Sequence, residues 1–452
     1  MDEFDIAVIG AGPAGVTAAL RGAERGARVC LIEQDRIGGS CFRKGLYPTK
    51  AVMALIEAVS SENGPVDARQ FFKSIDEFGE SLSQSWRSKL DDRGVQTCLG
   101  RAVLSSPTLI QVETPQGSKE VFAKKIILAI GSHPTSLPNL PFEGDSIVPI
   151  DDALQSDRVP ATVLILGAGP RGCELATLFN RLGSKVFLSD QTPRLLTGQD
   201  PDVTDFVEGA LKKQKIKLLL GKRLVSYYKN NNLFDISLEG GVKFQVEKIV
   251  LNMTREGSVS DLGSERLGLR LGESKEVLVN ETLETSVPGI FAAGSVIGRT
   301  AFAGLSEEEG RAAADSALGK AKPHNADWVP FIVHTRPEIA TVGCFAEEAH
   351  HKGFRAVEGR FEAKSLDYAL VEEGASGFFK VAADKKSGTV IGVQLVSPRA
   401  SELISLVLLA MKKGIKVGAL ASLTGDGFSE IQGIREAAKA CSRALKSQAK
   451  VP

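Results

Sequence analysis

Residues 6–15 read Ile6-Ala7-Val8-Ile9-Gly10-Ala11-Gly12-Pro13-Ala14-Gly15, four apolar residues running straight into a glycine-rich turn. A buried parallel strand reads as such a run. The glycine spacing suits a tight turn, a close backbone approach to a ligand and close helix packing, in that order. Val16, Ala19, Leu20 and Ala23 then repeat at helical spacing, Gly26 ends the helix, and Val29-Cys30-Leu31-Ile32 forms the next strand, closed by Glu33.

The same unit returns. Val163-Leu164-Ile165-Leu166 leads into Gly167-Ala168-Gly169-Pro170-Arg171-Gly172, a helix follows over Cys173 to Leu182, and Lys185-Val186-Phe187-Leu188 is closed by Asp190. In both copies the acid stands eighteen residues after the third glycine. A lone glycine motif is weak evidence, but strand before, helix after and acid at the next strand end is the full pattern of a dinucleotide site. The helix N-terminus offers its amides to a pyrophosphate, and Glu33 and Asp190 accept from a ribose hydroxyl. A carboxylate at 190 repels a 2′-phosphate, so the second site should favour NAD(H), although Arg171 and Arg194 are nearby cations.

The chain has 452 residues, which suits two or three domains. Its formal net charge of +0 gives no electrostatic reason to expect nucleic acid or an acidic membrane as a partner. No apolar run approaches the roughly 18 residues that cross a bilayer. Strand sequence starts at Asp5, so no leader is expected, and six scattered cysteines without a Cys-x-x-Cys pair point to a reducing cytoplasm rather than zinc or a disulfide framework. Of five histidines the last is His351. Ile126 to Ser132 and Val287 to Ser295 are expected as further buried strands ending in glycine turns. From Trp328 onward, hairpin strands at Gly377–Ala383 and Thr389–Ser397 and a helix from Ser401 to Lys413 predict an α+β domain.

This order of motifs resembles the pyridine nucleotide-disulfide oxidoreductases, the dihydrolipoamide dehydrogenase-like class I flavoproteins, over nearly the whole chain. The resemblance implies an α/β architecture of two Rossmann-like domains, for FAD and NAD, with a C-terminal α+β dimerisation domain. The expected boundaries are 1–150 and 281–325 for the FAD domain, 151–280 for the NAD domain and 326–452 for the interface of a homodimer. It implies FAD contacts from Gly10, Gly12, Pro13, Ala14, Gly15, Glu33, Gly39, Ser40, Lys50, Ala129, Gly131, Gly294 and Ser295. Contacts to NAD(H), the cosubstrate, are implied for Gly167, Gly169, Arg171, Gly172, Glu174 and Asp190. Lys50 is similar to the family lysine beside the flavin, and Glu174 to the glutamate that pairs with it.

The residues that serve the family's disulfide depart from its pattern. In Gly38 to Lys50, Cys41 fills the outer cysteine position while Leu46 stands at the inner one. Arg43, Lys44 and a helix start could activate Cys41, but a residual thiol is the simpler reading. The family's His-Pro-Thr-x-x-Glu appears as Gly425-Asp426-Gly427-Phe428-Ser429-Glu430, which keeps Glu430 and loses the imidazole. Ser295 replaces an aspartate on the ribityl chain, which should weaken FAD binding. No metal site is expected. These departures predict an FAD-dependent NAD(P)H oxidoreductase with a small non-disulfide acceptor: a quinone, dioxygen or a second pyridine nucleotide. The alternatives are a catalytically silent flavoprotein that senses NADH or binds a partner, and a true dihydrolipoamide dehydrogenase.

Overall fold

A computed structural model describes residues 2–44, 50, 51, 53, 68–156, 158–260, 262–299, 302–324, 328–370, 376–425 and 427–448. Leu46 and Asp426 lie outside the described residues. The chain divides into two compact units, Met1–Ala161 with Glu247–Asn325, and Thr162–Val246 with Ala326–Pro452.

In the first unit, β1 (Asp2–Ile9), α1 (Pro13–Glu24) and β2 (Val29–Glu33) form the expected strand–helix–strand. A short helix, α2 (Gly39–Arg43), and a long one, α3 (Ala68–Asp92), precede β3 (Gln96–Leu99). Three further strands, β4 (Arg101–Leu104), β5 (Leu109–Thr114) and β6 (Gly117–Leu128), extend the sheet. Its order is β3-β2-β1-β6-β5-β4, and strand Ile290–Ala292 pairs with β6. The pairs from β3 to β6 and on to Ile290–Ala292 are parallel, whereas β5 and β4 fold back antiparallel. The strand expected over Ile126–Ser132 is the last part of the longer β6, and that over Val287–Ser295 shortens to three residues. Parallel strands covered on both faces have no solvent side, which is why Ile6 to Ile9 and Ile126 to Leu128 are apolar throughout and buried. Helix Ala303–Ala317 returns against α1. The approach is close because a side chain on Gly310 would overlap the carbonyl of Ala14.

The second unit opens with the repeat: β7 (Thr162–Leu166), α4 (Pro170–Arg181), β8 (Lys185–Asp190), α5 (Pro201–Lys213) and β9 (Lys217–Leu220). The strands pair in parallel in the order β9-β8-β7. A three-stranded antiparallel meander follows over residues 224–246. The C-terminal portion is a five-stranded antiparallel sheet. Its strands are β10 (Phe331–Val333), β11 (Glu338–Gly343), β12 (Ala356–Glu362), β13 (Phe378–Asp384) and β14 (Val390–Ser397), in the order β10-β11-β14-β13-β12. The predicted hairpin is the β13–β14 pair. The expected helix is α6 (Ala400–Lys412), and α7 (Ile431–Gln448) packs on β12 and β13. Ile404, Val407 and Met411 of α6 enter the core with Phe379, Val381 and Leu395, while Leu406 and Leu409 stay exposed.

Candidate functional site

The first glycine loop is built by hydrogen bonds that the sequence spacing anticipates. Gly10 has φ +96°, a region open to glycine, and donates its N–H to the Ile32 carbonyl at 2.8 Å. A side chain on Gly15 would overlap the Gly10 carbonyl oxygen, so the third glycine lets α1 start directly against β1. Glu33 closes the unit from the side. Its Oε2 accepts the Ala11 amide at 2.6 Å and its Oε1 accepts the Asp35 amide at 2.9 Å. Burial pushes its carboxyl above the usual range, against the pull of these amides.

Gly12 caps α1 with no side chain, and a β-carbon placed on it would meet nothing within 4 Å. Open space before an uncapped helix start suits a dinucleotide pyrophosphate, so the residues fit FAD at this point. The Cys41 segment folds onto the same loop. Gly38 donates to the Ala11 carbonyl at 2.7 Å, and a β-carbon on Gly39 would stand 3.2 Å from Gly12 Cα. Gly39 and Ser40 therefore begin α2 beside the loop, with Cys41 half-buried one residue further. Lys50 is exposed.

The turn after β6 faces the Gly294–Ser295 turn. Gly131 has φ +75°, and a β-carbon there would lie 3.8 Å from Ser295 Oγ. The Gly294 amide donates to Glu309 Oε2 at 2.9 Å, and Gly294 sits against the Ala14 side chain. Glu309 is buried, which raises its carboxyl pKa against the hydrogen bonds from Gly294 and Arg299. Arg255 ties Ser132 to Asp151, with 2.7 Å to the Ser132 carbonyl and 3.0 Å to Asp151. Lys44, one of the cations considered for activating Cys41, pairs with Asp152 at 2.5 Å. Its charge is thereby offset by a carboxylate.

The second loop repeats the first in detail. Gly167 has φ +111° and donates to the Ser189 carbonyl at 2.8 Å. The Ala168 amide donates to Asp190 Oδ2 at 2.7 Å, as Ala11 does to Glu33. Asp190 Oδ1 accepts from the Thr192 amide and hydroxyl, each at 2.8 Å. Gly169 caps α4 without a side chain, which again suits a pyrophosphate, and Arg171 stands half-buried in the first turn. Arg194 pairs with Asp205.

Glu174, in the second turn of α4, is buried, and its Oε1 accepts the His334 backbone amide at 2.8 Å. His334 escaped the sequence reading. Its ring Nδ1 lies 3.0 Å from Glu338 Oε1, and Glu338 Oε2 accepts the Ser401 amide at 3.0 Å. Burial raises the Glu338 carboxyl, but the bonds from His334 and Ser401 outweigh it and leave the group below its usual range. Glu430 is buried too, and its Oε2 accepts the Arg399 amide at 3.4 Å. Glu338 and Glu430 thus both bind the start of α6, a favourable place for carboxylates. The retained Glu430 therefore has a structural task that needs no histidine.

Two regions of the chain match known domains: residues 4–317 match pyridine nucleotide-disulphide oxidoreductase, and residues 329–425 match that family's dimerisation domain. The dihydrolipoyl dehydrogenase of Thermus scotoductus is 32% identical over 456 residues, covering 97% of this chain and 98% of that protein. That of Bacillus subtilis is 29% identical and covers 90% and 91%. Among solved structures, LpdA from Mycobacterium tuberculosis superimposes with a TM-score of 0.90 at 26% identity, over 97% of this chain and 99% of that one. The flavoprotein disulfide reductase RclA of Escherichia coli shares the fold, with a TM-score of 0.86 at 24% identity over 97% and 99% of the two chains. Members of this family use FAD and NAD(H). By the match of both its regions, the chain belongs to the pyridine nucleotide-disulphide oxidoreductase family and is an FAD-dependent oxidoreductase.

Proposed function

We propose that this enzyme passes electrons from NADH through FAD to a small acceptor that is not a disulfide: a quinone, dioxygen or a second pyridine nucleotide. The domains on this reading are 1–150 with 281–325 for FAD, 151–280 for NAD(H) and 326–452 for a homodimer interface, in a cytoplasmic protein. Bound FAD supplies the chemistry of accepting two electrons from the nicotinamide and releasing them to an acceptor. The chain's own residues bind and orient. Gly12 leaves room for a pyrophosphate, Gly39 lets the start of α2 approach the loop, and Glu33 has lone pairs left for ribose hydroxyls. Lys50 adds a positive charge on the FAD side, and Glu174 a fixed carboxylate on the nicotinamide side. Asp190 disfavours a 2′-phosphate and hence NADPH.

The observation that carries the proposal lies at Gly425. A β-carbon there would stand 2.7 Å from Ile431 Cγ2, so any side chain at this position would have to displace that methyl. Leu46, where a Cys-x4-Cys pair needs its second sulfur, points the same way. Without an imidazole there is no proton carrier for a dithiol, and without a second thiol Cys41 has no internal partner with which to close a disulfide.

Anaerobic titration of the flavoprotein with NADH tests this. Two electrons per FAD, with no long-wavelength thiolate–flavin band, is the expected result; four electrons would reveal a second redox centre and overturn it. The names of the 27–32% identical relatives favour a second reading, a working dihydrolipoyl dehydrogenase. Substantial lipoamide turnover by the purified enzyme would select that reading.

A further inference from the structure

We infer that His334 is a positioning residue of the pyridine-nucleotide site, holding the Glu174 carboxylate through its backbone while Glu338 holds His334 through its ring. The inference rests on reading Glu174 as the nicotinamide-side carboxylate.

Four groups are linked in sequence. Glu174 projects from α4, whose start is the second glycine loop. Its Oε1 takes the N–H of a residue 160 positions away, at the end of β10. That residue, His334, precedes the turn Thr335-Arg336-Pro337. The turn is stitched by Thr335 Oγ1 donating to the Pro337 carbonyl at 2.8 Å, and Gln214 donates its side-chain amide to the Arg336 carbonyl at 2.9 Å. Across the turn, the imidazole meets Glu338 at 3.0 Å, with 9% of the ring side chain exposed. Glu338 is fixed in turn at the Ser401 amide.

A strand end next to a turn can rotate its peptide plane, and rotation would swing the His334 amide off Glu174. The ring–carboxylate bond opposes that rotation by tying His334 across its own turn. Ionised Glu338 can only accept, so Nδ1 must carry the proton that is shared. The chain that lacks an imidazole at 425 thus has a buried one at 334, reaching the candidate site through a backbone amide.

The test uses the flavin-loaded, full-length enzyme, four single variants, E174Q, H334F, H334N and E338Q, and their doubles with E174Q. H334F keeps ring volume without a donor, whereas H334N keeps a short N–H donor. Flavin reduction by saturating NADH is followed by stopped flow, NAD⁺ affinity by calorimetry, and stability by thermal unfolding. E174Q is expected to slow reduction about tenfold, in the range lost with a hydrogen bond to a charged group. H334F should come within a few-fold of that loss, and H334N should recover most of it. The H334F/E174Q double variant should be no slower than E174Q, since both act through one carboxylate. The NAD⁺ dissociation constants should show the same non-additivity.

A merely structural role would lower the melting temperature and let the two effects multiply; that result overturns the proposal, as does a wild-type rate in H334F. If E174Q itself reduces at the wild-type rate, the reading of Glu174 has failed and the proposal falls with it. Should H334F not fold, H334N and E338Q report the same coupling to E174Q.

Discussion

Ile431 Cγ2 stands 2.7 Å from the point where a β-carbon on Gly425 would be. Real side chains do not approach that closely, so the glycine and the isoleucine form a matched pair. Placing histidine at 425 therefore overpacks the segment, at a cost of about 1–3 kcal/mol. We expect G425H, and even G425A, to be destabilised by that amount in urea unfolding, with the loss relieved in G425A/I431A. Equal stability of G425A and the wild type would remove the steric argument.

Restoring the thiol alone should also fail. The L46C variant supplies a second sulfur but no imidazole, so we expect lipoamide turnover to stay at background in L46C. The triple variant L46C/G425H/I431A should raise it, since a positioned general base contributes typically 10²–10⁴-fold. Assay with dihydrolipoamide decides: activity in L46C as high as in the triple variant would show that the missing imidazole is irrelevant.

We expect Ser295 to set how firmly the flavin is kept. The residue lies half-buried opposite Gly131, and its neighbour Gly294 is already held by buried Glu309. Replacing Ser295 by Asp adds a charged acceptor, with an effect of roughly 1.5–3 kcal/mol. Spontaneous FAD release, followed by fluorescence after dilution, should be about ten- to a hundredfold slower in S295D. Faster release would mean that the charge of Glu309 repels the new carboxylate more than the flavin benefits.

How much of this was legible in the sequence depends on sequence distance. The two loops were readable because their geometry is local: the glycines, the helix start and the acid eighteen residues on lie within one strand–helix–strand unit. Even the Ala11–Glu33 and Ala168–Asp190 bonds follow from that spacing, since the acid at the second strand's end comes level with the loop. The Gly39 approach to Gly12 and the His334 bond to Glu174 were not readable, because each joins separate segments through the backbone. The pair His334–Glu338 had a signal, an i,i+4 spacing across Thr-Arg-Pro, but in a helix-free stretch that spacing carries no geometric meaning. The motif marks Glu430 as the retained family glutamate, but its bond to the start of α6 depends on Arg399, 31 residues earlier, and no local spacing shows it.

The last prediction concerns Lys380, which no motif announced. Its side chain is 8% exposed, and its ammonium contacts Asp200 at 3.0 Å, Asp202 at 3.0 Å and Glu358 at 3.1 Å, while Arg360 also meets Asp202 at 3.0 Å. It therefore ties the start of α5 to β12 and β13. Burial lowers the Lys380 pKa, but the three carboxylates outweigh it and raise the group. Burial likewise raises Asp202, but Lys380 and Arg360 outweigh it and lower the group. Removing one partner of a buried pair costs roughly 3–5 kcal/mol, and the partial exposure of Asp202 and Glu358 puts K380M near the lower end. The signs fix the pH dependence. Asp202 is depressed, so its contribution is complete above its unfolded pKa of about 3.9 and is lost as pH falls through the lower folded value. Lys380 is raised, so its contribution is complete below about 10.4 and is lost as pH rises through the higher folded value. The stability difference between wild type and K380M should thus stay level from about pH 5 to 9 and shrink toward both extremes, as read from urea unfolding across that range. A difference that persists undiminished at pH 3 would assign the loss to packing of the lysine stem rather than to its charge.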